Sequence, residues 1–224
     1  EEEPRRRLLD WSVIKQQISL STPIIFQSVV GIGSWLVFFF AIENMGRLAL
    51  EVSTLIRSVY MMFMIPAWGF GSGINTIVSN LIGKQQHATV IASINRTALL
   101  CFAVTMLCAL WLIAAPSQVL GIITTNAEII AASIPMIGVF VLILAVFSTG
   151  AIYFNGIIGT GATQQSLWMQ IGGCVLYLIY TFVAIKIFEV SLPAAWGAEV
   201  LYWGITLLLS LWYLRSNRWL SIRV

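Results

Sequence analysis

Charge is what this chain of 224 residues has least of: Asp, Glu, Lys and Arg together make up 9% of it, beside one histidine and three cysteines. An ordinary globular domain carries about 25% charged residues, so the deficit excludes a surface built to face water on every side. No basic stripe occurs, and the cations are scattered among apolar runs, which excludes nucleic acid as a partner. No His/Cys/Asp group has metal-ligand spacing, and there is neither a nucleophile–base pair nor a phosphate-binding P-loop. No metal, cofactor or covalent chemistry is therefore expected, and the chain does not read as an enzyme. The cysteines Cys101, Cys108 and Cys174 all lie in apolar runs. Cys101 and Cys108 stand two helical turns apart, about 10 Å, too far for a disulfide, so all three read as small buried hydrophobes. An initiator Met and an apolar signal core are also lacking, since the chain opens Glu1-Glu2-Glu3-Pro4-Arg5-Arg6-Arg7. The expectation is a piece of something longer.

What is present is apolar length: 59% hydrophobic residues and a mean hydropathy of +0.91. The fold class expected is all-α, a polytopic membrane protein with six transmembrane helices over about 18–42, 50–82, 98–115, 128–154, 167–188 and 195–214. Residues 1–17 read as a polar arm leading into an amphipathic segment on the headgroups, with Trp11 at the interface. Residues 215–224 form a tail, with Trp212, Tyr213 and Trp219 as interface anchors. An even number of spans puts both termini on one side. That side receives Arg5, Arg6, Arg7, Lys15, Lys84, Arg96, Arg215, Arg218 and Arg223, whereas Arg47, Arg57 and Lys186 fall opposite. The bias makes the termini cytoplasmic; the location expected is the cell (inner) membrane. Glu43, Glu51, Glu128, Glu189 and Glu199 are assigned to the outer ends of the spans.

The stretch Arg57–His87 organises the rest: RSVYMMFMIPAWGFGSGINTIVSNLIGKQQH. It begins as a Met- and aromatic-rich helix, passes Pro66, Gly69, Gly71 and Gly73, gains Asn75, Ser79 and Asn80, and exits through Gly83 and Lys84. Lipid demands internally satisfied backbone, the glycines permit close helix contact, and the amides must face protein or water.

The run I-P-x-x-G followed by V-S-N-x-I-G-K-Q resembles the eighth helix of the MATE (multidrug and toxic compound extrusion) family. The segment I-I-G-T-G-A-T at 157–163 is similar to the L-R-G-x-G-D-T turn after the tenth helix, with Gly159, Gly161 and Thr163 matching and Ile158 and Ala162 departing. The resemblance implies the C-terminal six-helix half of a twelve-helix transporter, with an N-terminal half as partner and the substrate between them. It further implies export of organic, cationic or amphiphilic small molecules in exchange for Na⁺ or H⁺ by alternating access. The family's carboxylate in the seventh helix maps to about Gly31, with Gln27 the nearest polar side chain. Its tenth-helix Asp maps to Val146-Phe147-Ser148, so the coupling acid is expected to be absent from this half. Two rivals are a lipid-linked saccharide flippase of the same superfamily and a non-transporting six-helix scaffold or homodimer.

Candidate residues for the substrate or ion pathway are Gln27, Trp35, Glu43, Arg57, Met61, Met64, Trp68, Asn75, Asn80 and Asn155. A cation at mid-bilayer costs ~2.5–3.5 kcal/mol on insertion scales, so Arg57 is expected either to pair with Glu43 (Glu51 second) or to snorkel outward. Met61, Met62, Met64 and Trp68 read as a pliable cavity lining or as packing. Gln27, Asn75, Asn80 and Asn155 read as contacts to ion or substrate, or as bonds between helices.

Overall fold

The computed structural model describes residues 11–221. The readings made above for residues 1–10 and for Arg223 lie outside them. Lipid leaves a backbone no partner but itself, and the described residues are helical almost throughout. The α-helices are α1 (Trp11–Glu43), α2 (Arg47–Gly83), α3 (His87–Ala114), α4 (Pro116–Gly121), α5 (Ala127–Ser133), α6 (Ile137–Gly159), α7 (Thr163–Phe182) and α8 (Leu192–Arg215). Six stretches are long and apolar enough to cross a membrane: Val13–Glu43, Arg47–Gly83, His87–Ala114, Ala127–Gly159, Thr163–Ile187 and Leu192–Arg215.

The breaks have local causes. Gly46, at φ 106°, turns the chain between α1 and α2. Pro116 opens α4 at a position where its missing N–H costs nothing. Asn126 Oδ1 accepts the Glu128 amide at 3.0 Å and so caps α5. Pro135 tightens the fourth span into a 3₁₀ turn over Ile134–Met136 before α6 resumes. Gly161, at φ 84°, reverses the chain between α6 and α7.

Helix extends further than hydropathy alone indicates. α1 runs without interruption from Trp11, so residues 11–17 are continuous with the helix of the first span. α3 starts at His87 because nothing between Thr89 and Arg96 stops a helix, although the apolar run begins later. Hydropathy marks the part that meets lipid; the helix itself propagates through polar residues.

α6 sits at the centre and packs on α2, α3 and α8, while α7 joins α1 to α8. α1 and α2 meet only sparingly. The bundle is thus open along one side: α1 and α2 flank a cleft whose back wall is α7 and α8. Two small anchoring details differ from expectation. Trp219 is buried, donating to the Leu214 carbonyl at 3.0 Å and packing on His87, because the chain folds back after α8. Cys108 is exposed on the outside of α3, whereas Cys101 and Cys174 are buried.

Candidate functional site

The cleft holds a cavity of about 680 Å³. The first span contributes Gln27, Trp35 and Phe39, α2 contributes Arg57, Tyr60, Met61, Met64 and Trp68, and α7 and α8 contribute Gln170, Tyr177, Glu199, Tyr202 and Trp203. Helical spacing explains the choice. On α8, Trp196, Glu199 and Trp203 stand at i, i+3 and i+7, one face of a helix, and that face is turned inward.

Three polar bonds made by this face tie the helices together. Trp196 Nε1 donates to Ser53 Oγ at 3.0 Å, and Trp203 Nε1 donates to the Tyr60 hydroxyl at 2.9 Å, both joining α8 to α2. The third runs to α1, where Trp35 Nε1 donates to Glu199 Oε1 at 2.5 Å. Glu199 is only 3% exposed. It lies seven residues into α8, about 10 Å along the helix axis, and its carboxyl group lines the cavity. Tyr60, Tyr177 and Trp203 adjoin the same carboxyl. The Tyr177 hydroxyl is buried there without a partner in hydrogen-bond geometry.

This corrects one expectation. Glu199 does not belong with the outer-end acids, because its helix begins at Leu192, which places it inside the span, and its neighbours at 196 and 203 are buried aromatics. Separately from the first- and fourth-span positions named above, the last span carries an interior acid.

Arg57 also departs from expectation. It makes no pair with Glu43, which is exposed at the end of α1. Among the described residues the one ion pair is Arg47–Glu51, one helical turn apart at 2.7 Å and largely exposed. The Arg57 guanidinium instead lies over the Phe39 ring, 5.0 Å from its centroid, and its Nε is buried without a hydrogen-bond partner. The physical reason is direction: Arg57 lies on the cleft side of α2 with Tyr60, Met61 and Met64, and Phe39 is the surface it meets there.

Gln27 holds the opposite wall. Its Nε2 donates to Ser166 Oγ at 2.7 Å and to the Thr163 carbonyl at 3.3 Å, and Gln170 Nε2 returns a bond to the Gln27 carbonyl at 2.9 Å. Gly31 leaves the room for Gln170 to cross, since a Cβ there would lie 2.9 Å from Gln170 Nε2.

Of the remaining candidates, Asn75 lines a second cavity of about 580 Å³ with Gln16, Ser79, Gln85, Gly159 and Gly161, at the end of the bundle that carries both chain ends. Ile24 lines both cavities, so they adjoin. Asn155 bonds back to the Ala151 carbonyl and packs on Gly71, where a Cβ would sit 2.9 Å from its Nδ2. Asn80 is exposed and bonds only to the Thr76 carbonyl of its own helix. Sequence reasoning missed Glu199, Tyr60, Tyr177, Tyr202 and Trp203. The spacing of Trp196, Glu199 and Trp203 was the available signal for the first and last.

A family model described as MatE matches residues 23–183. No curated protein matches the chain. Among solved structures, the Vibrio cholerae MATE transporter VcmN in its bent form superposes with a TM-score of 0.82 at 18% identity, covering 93% of this chain and 48% of that one. A Pyrococcus furiosus transporter of the MOP superfamily, described as having a binding pocket of reverse polarity that suggests a different function, gives 0.80 at 17% identity, with 91% and 45% covered. A multidrug resistance MATE transporter in an outward-facing conformation gives 0.81 at 16% identity, with 94% and 47% covered. The chain spans about half the length of the solved transporters it resembles.

Proposed function

Because the chain belongs to the MatE family of membrane transporters, we propose that it forms the C-terminal lobe of an ion-coupled exporter. In this reading its substrates are organic, cationic or amphiphilic compounds, moved outward against Na⁺ or H⁺ by alternating access, with an N-terminal six-helix half closing the open side of the cleft. Residues 11–17 lead into the lobe and the tail after α8 leaves it. Lys15, Lys84, Arg96, Arg215 and Arg218 gather at the end carrying both termini, which supports a cytoplasmic location for that end in the cell membrane.

The observation that carries the reading is Glu199. A carboxyl held inside a membrane span is costly and is retained where it handles a cation. Ionised, it has about four acceptor sites; the Trp35 indole donates to one, Tyr60, Tyr177 and Trp203 adjoin it, and the aromatic faces around it attract organic cations. A coupling cation and a cationic substrate can then compete for one group, which is the differential interaction that alternating access requires. A lipid-linked saccharide flippase would need several cations for its phosphates, and among the described residues Arg57 is the one cation lining the cavity. That favours the exporter.

The test uses the full-length transporter in proteoliposomes, with a fluorescent planar organic cation and an imposed Na⁺ or proton gradient. Gradient-driven accumulation is expected, with Glu199→Gln reducing it at least roughly tenfold at unchanged folded yield. Accumulation indifferent to both gradients, or untouched by Glu199→Gln, would overturn the reading.

A further inference from the structure

Away from the cleft, the outer surface of the lobe carries a polar cluster shared by three helices. α3 and α8 both pack on α6. Along α6, Leu142, Val146, Thr149 and Tyr153 stand at i, i+4, i+7 and i+11 and form a stripe that is not buried. At the end that carries both chain ends, the Tyr153 hydroxyl donates to Asn95 Oδ1 on α3 at 2.8 Å. The same hydroxyl lies within electrostatic reach of Arg215 on α8. Arg215 shares one face of α8 with Leu208 and Trp212, and all three are exposed. The Arg218 guanidinium sits over the Trp212 ring, 5.2 Å from its centroid. Asn95 spends its Oδ1 on Tyr153 and keeps its Nδ2 protons for an acceptor from outside.

This cluster stands at headgroup level. The apolar run begins at Ala98 on α3 and ends at Phe154 on α6 and at Leu214 on α8. The fourth span has 33 residues, about 50 Å of helix against ~30 Å of hydrocarbon, so its ends rise among the headgroups. Among the described residues no carboxylate stands at this end: Glu43, Glu51, Glu128 and Glu189 lie at the opposite ends of the spans, and Glu199 lies inside one. Arg215 therefore has a guanidinium fork suited to a phosphate and no acid in the protein to fill it. The stripe of α6 leads from the cluster toward the bilayer centre, flanked by the exposed Leu99 and Leu208. We infer that the α3–α6–α8 groove is a binding site for an anionic phospholipid, its phosphate held by Arg215 and Asn95 and its acyl chains laid along α6. The site asks nothing of the cavity and stands or falls apart from the exporter reading.

Native mass spectrometry tests it on the full-length transporter, delipidated in detergent and offered equal amounts of phosphatidylglycerol and phosphatidylcholine. The wild type should retain phosphatidylglycerol in preference by about fivefold or more, the scale of one guanidinium at a membrane surface. Arg215→Gln should remove about that factor, and Arg215→Lys, which keeps the charge but not the fork, should recover part of it. Val146→Trp fills the stripe without touching a charge and should lower retention of both lipids. Lys15 belongs to the same end but sits on α1, which packs on α7 and α2, so Lys15→Gln should leave retention within about twofold of the wild type. Three results overturn the site: no preference in the wild type, equal losses from Lys15→Gln and Arg215→Gln, or full retention in Val146→Trp. Displacement of the lipid by millimolar inorganic phosphate would also overturn it, since the chains would then contribute nothing.

Discussion

The two ends of the cleft use polarity in opposite ways. Toward the α1–α2 turn, the charges of Arg57 and Glu199 face a cavity lined by aromatic rings. Toward the end that carries both termini, neutral side chains and glycines hold α2 against α6. At that crossing the Asn75 carbonyl would lie 2.7 Å, and the Val78 Cβ 2.9 Å, from a Cβ placed on Gly159. Ser79 Oγ donates to the Gly159 carbonyl at 3.0 Å. A neutral polar group in a membrane span can be spent on its nearest backbone neighbour, but a charge cannot. Charges in a span therefore turn to a cavity or to ring faces, and amides and hydroxyls serve as links between helices.

The comparison is broken most severely at the crossing. Gly159→Leu should cost about 3 kcal/mol or more, because one of the atoms it meets is backbone and cannot swing aside. Thermal unfolding in detergent, followed by monodispersity, reads this as loss of folded protein. Gly69 lies on the same helix as Asn75 and Val78, with nothing within 4 Å of its missing Cβ. Gly69→Ala should be neutral or stabilising by up to about 1 kcal/mol. Equal damage from both would show that the contact at Gly159 is not what positions α6.

The cavity end gives the next largest effect. Trp35→Phe keeps the ring on Phe39 and Tyr60 but removes the donor to a buried carboxylate, a loss of about 1.5–3 kcal/mol. The same change made in a Glu199→Gln background should cost distinctly less, since a neutral amide needs that donor less. Melting temperatures of the four proteins in the cycle measure the coupling, and strict additivity would remove Trp35 from the account of Glu199.

The helical class and the six crossings were legible in the sequence because lipid imposes one rule over long stretches, and composition alone reports it. The site was legible in part. Arg57, Met61, Met64 and Trp68 stand out as polar or soft residues within an apolar run, and Gln27 as a lone amide, and all five line the main cavity. Glu199 was misassigned because distance from a helix end was judged from where apolar residues resume, near Ala195, and not from where the helix begins, at Leu192. Partners were the least legible feature. Glu43 is close to Arg57 along the chain, but proximity in sequence does not decide which way an arginine turns when a ring such as Phe39 lies in its path.

The smallest expected effect makes the sharpest use of the comparison, because it contrasts two neighbouring residues. Ser79 and Asn80 sit side by side in the V-S-N run, and composition gives no reason to rank them. The structure does: Ser79 reaches across to the Gly159 carbonyl, whereas Asn80 turns back to Thr76 one turn away on its own helix, at 3.0 Å. Interhelical hydrogen bonds in membrane bundles are worth about 0.6 kcal/mol on average, so Ser79→Ala should lose about that much. Asn80→Ala removes a bond to a carbonyl already paired within the helix and should stay within about 0.5 kcal/mol of the parent, with transport unchanged. Melting temperature and dye accumulation measured on both variants check the order. If Asn80→Ala proved the more damaging, the amide would be in contact with something other than its own helix, and the division between charges that serve the cavity and neutral groups that serve the crossing would fail at that residue.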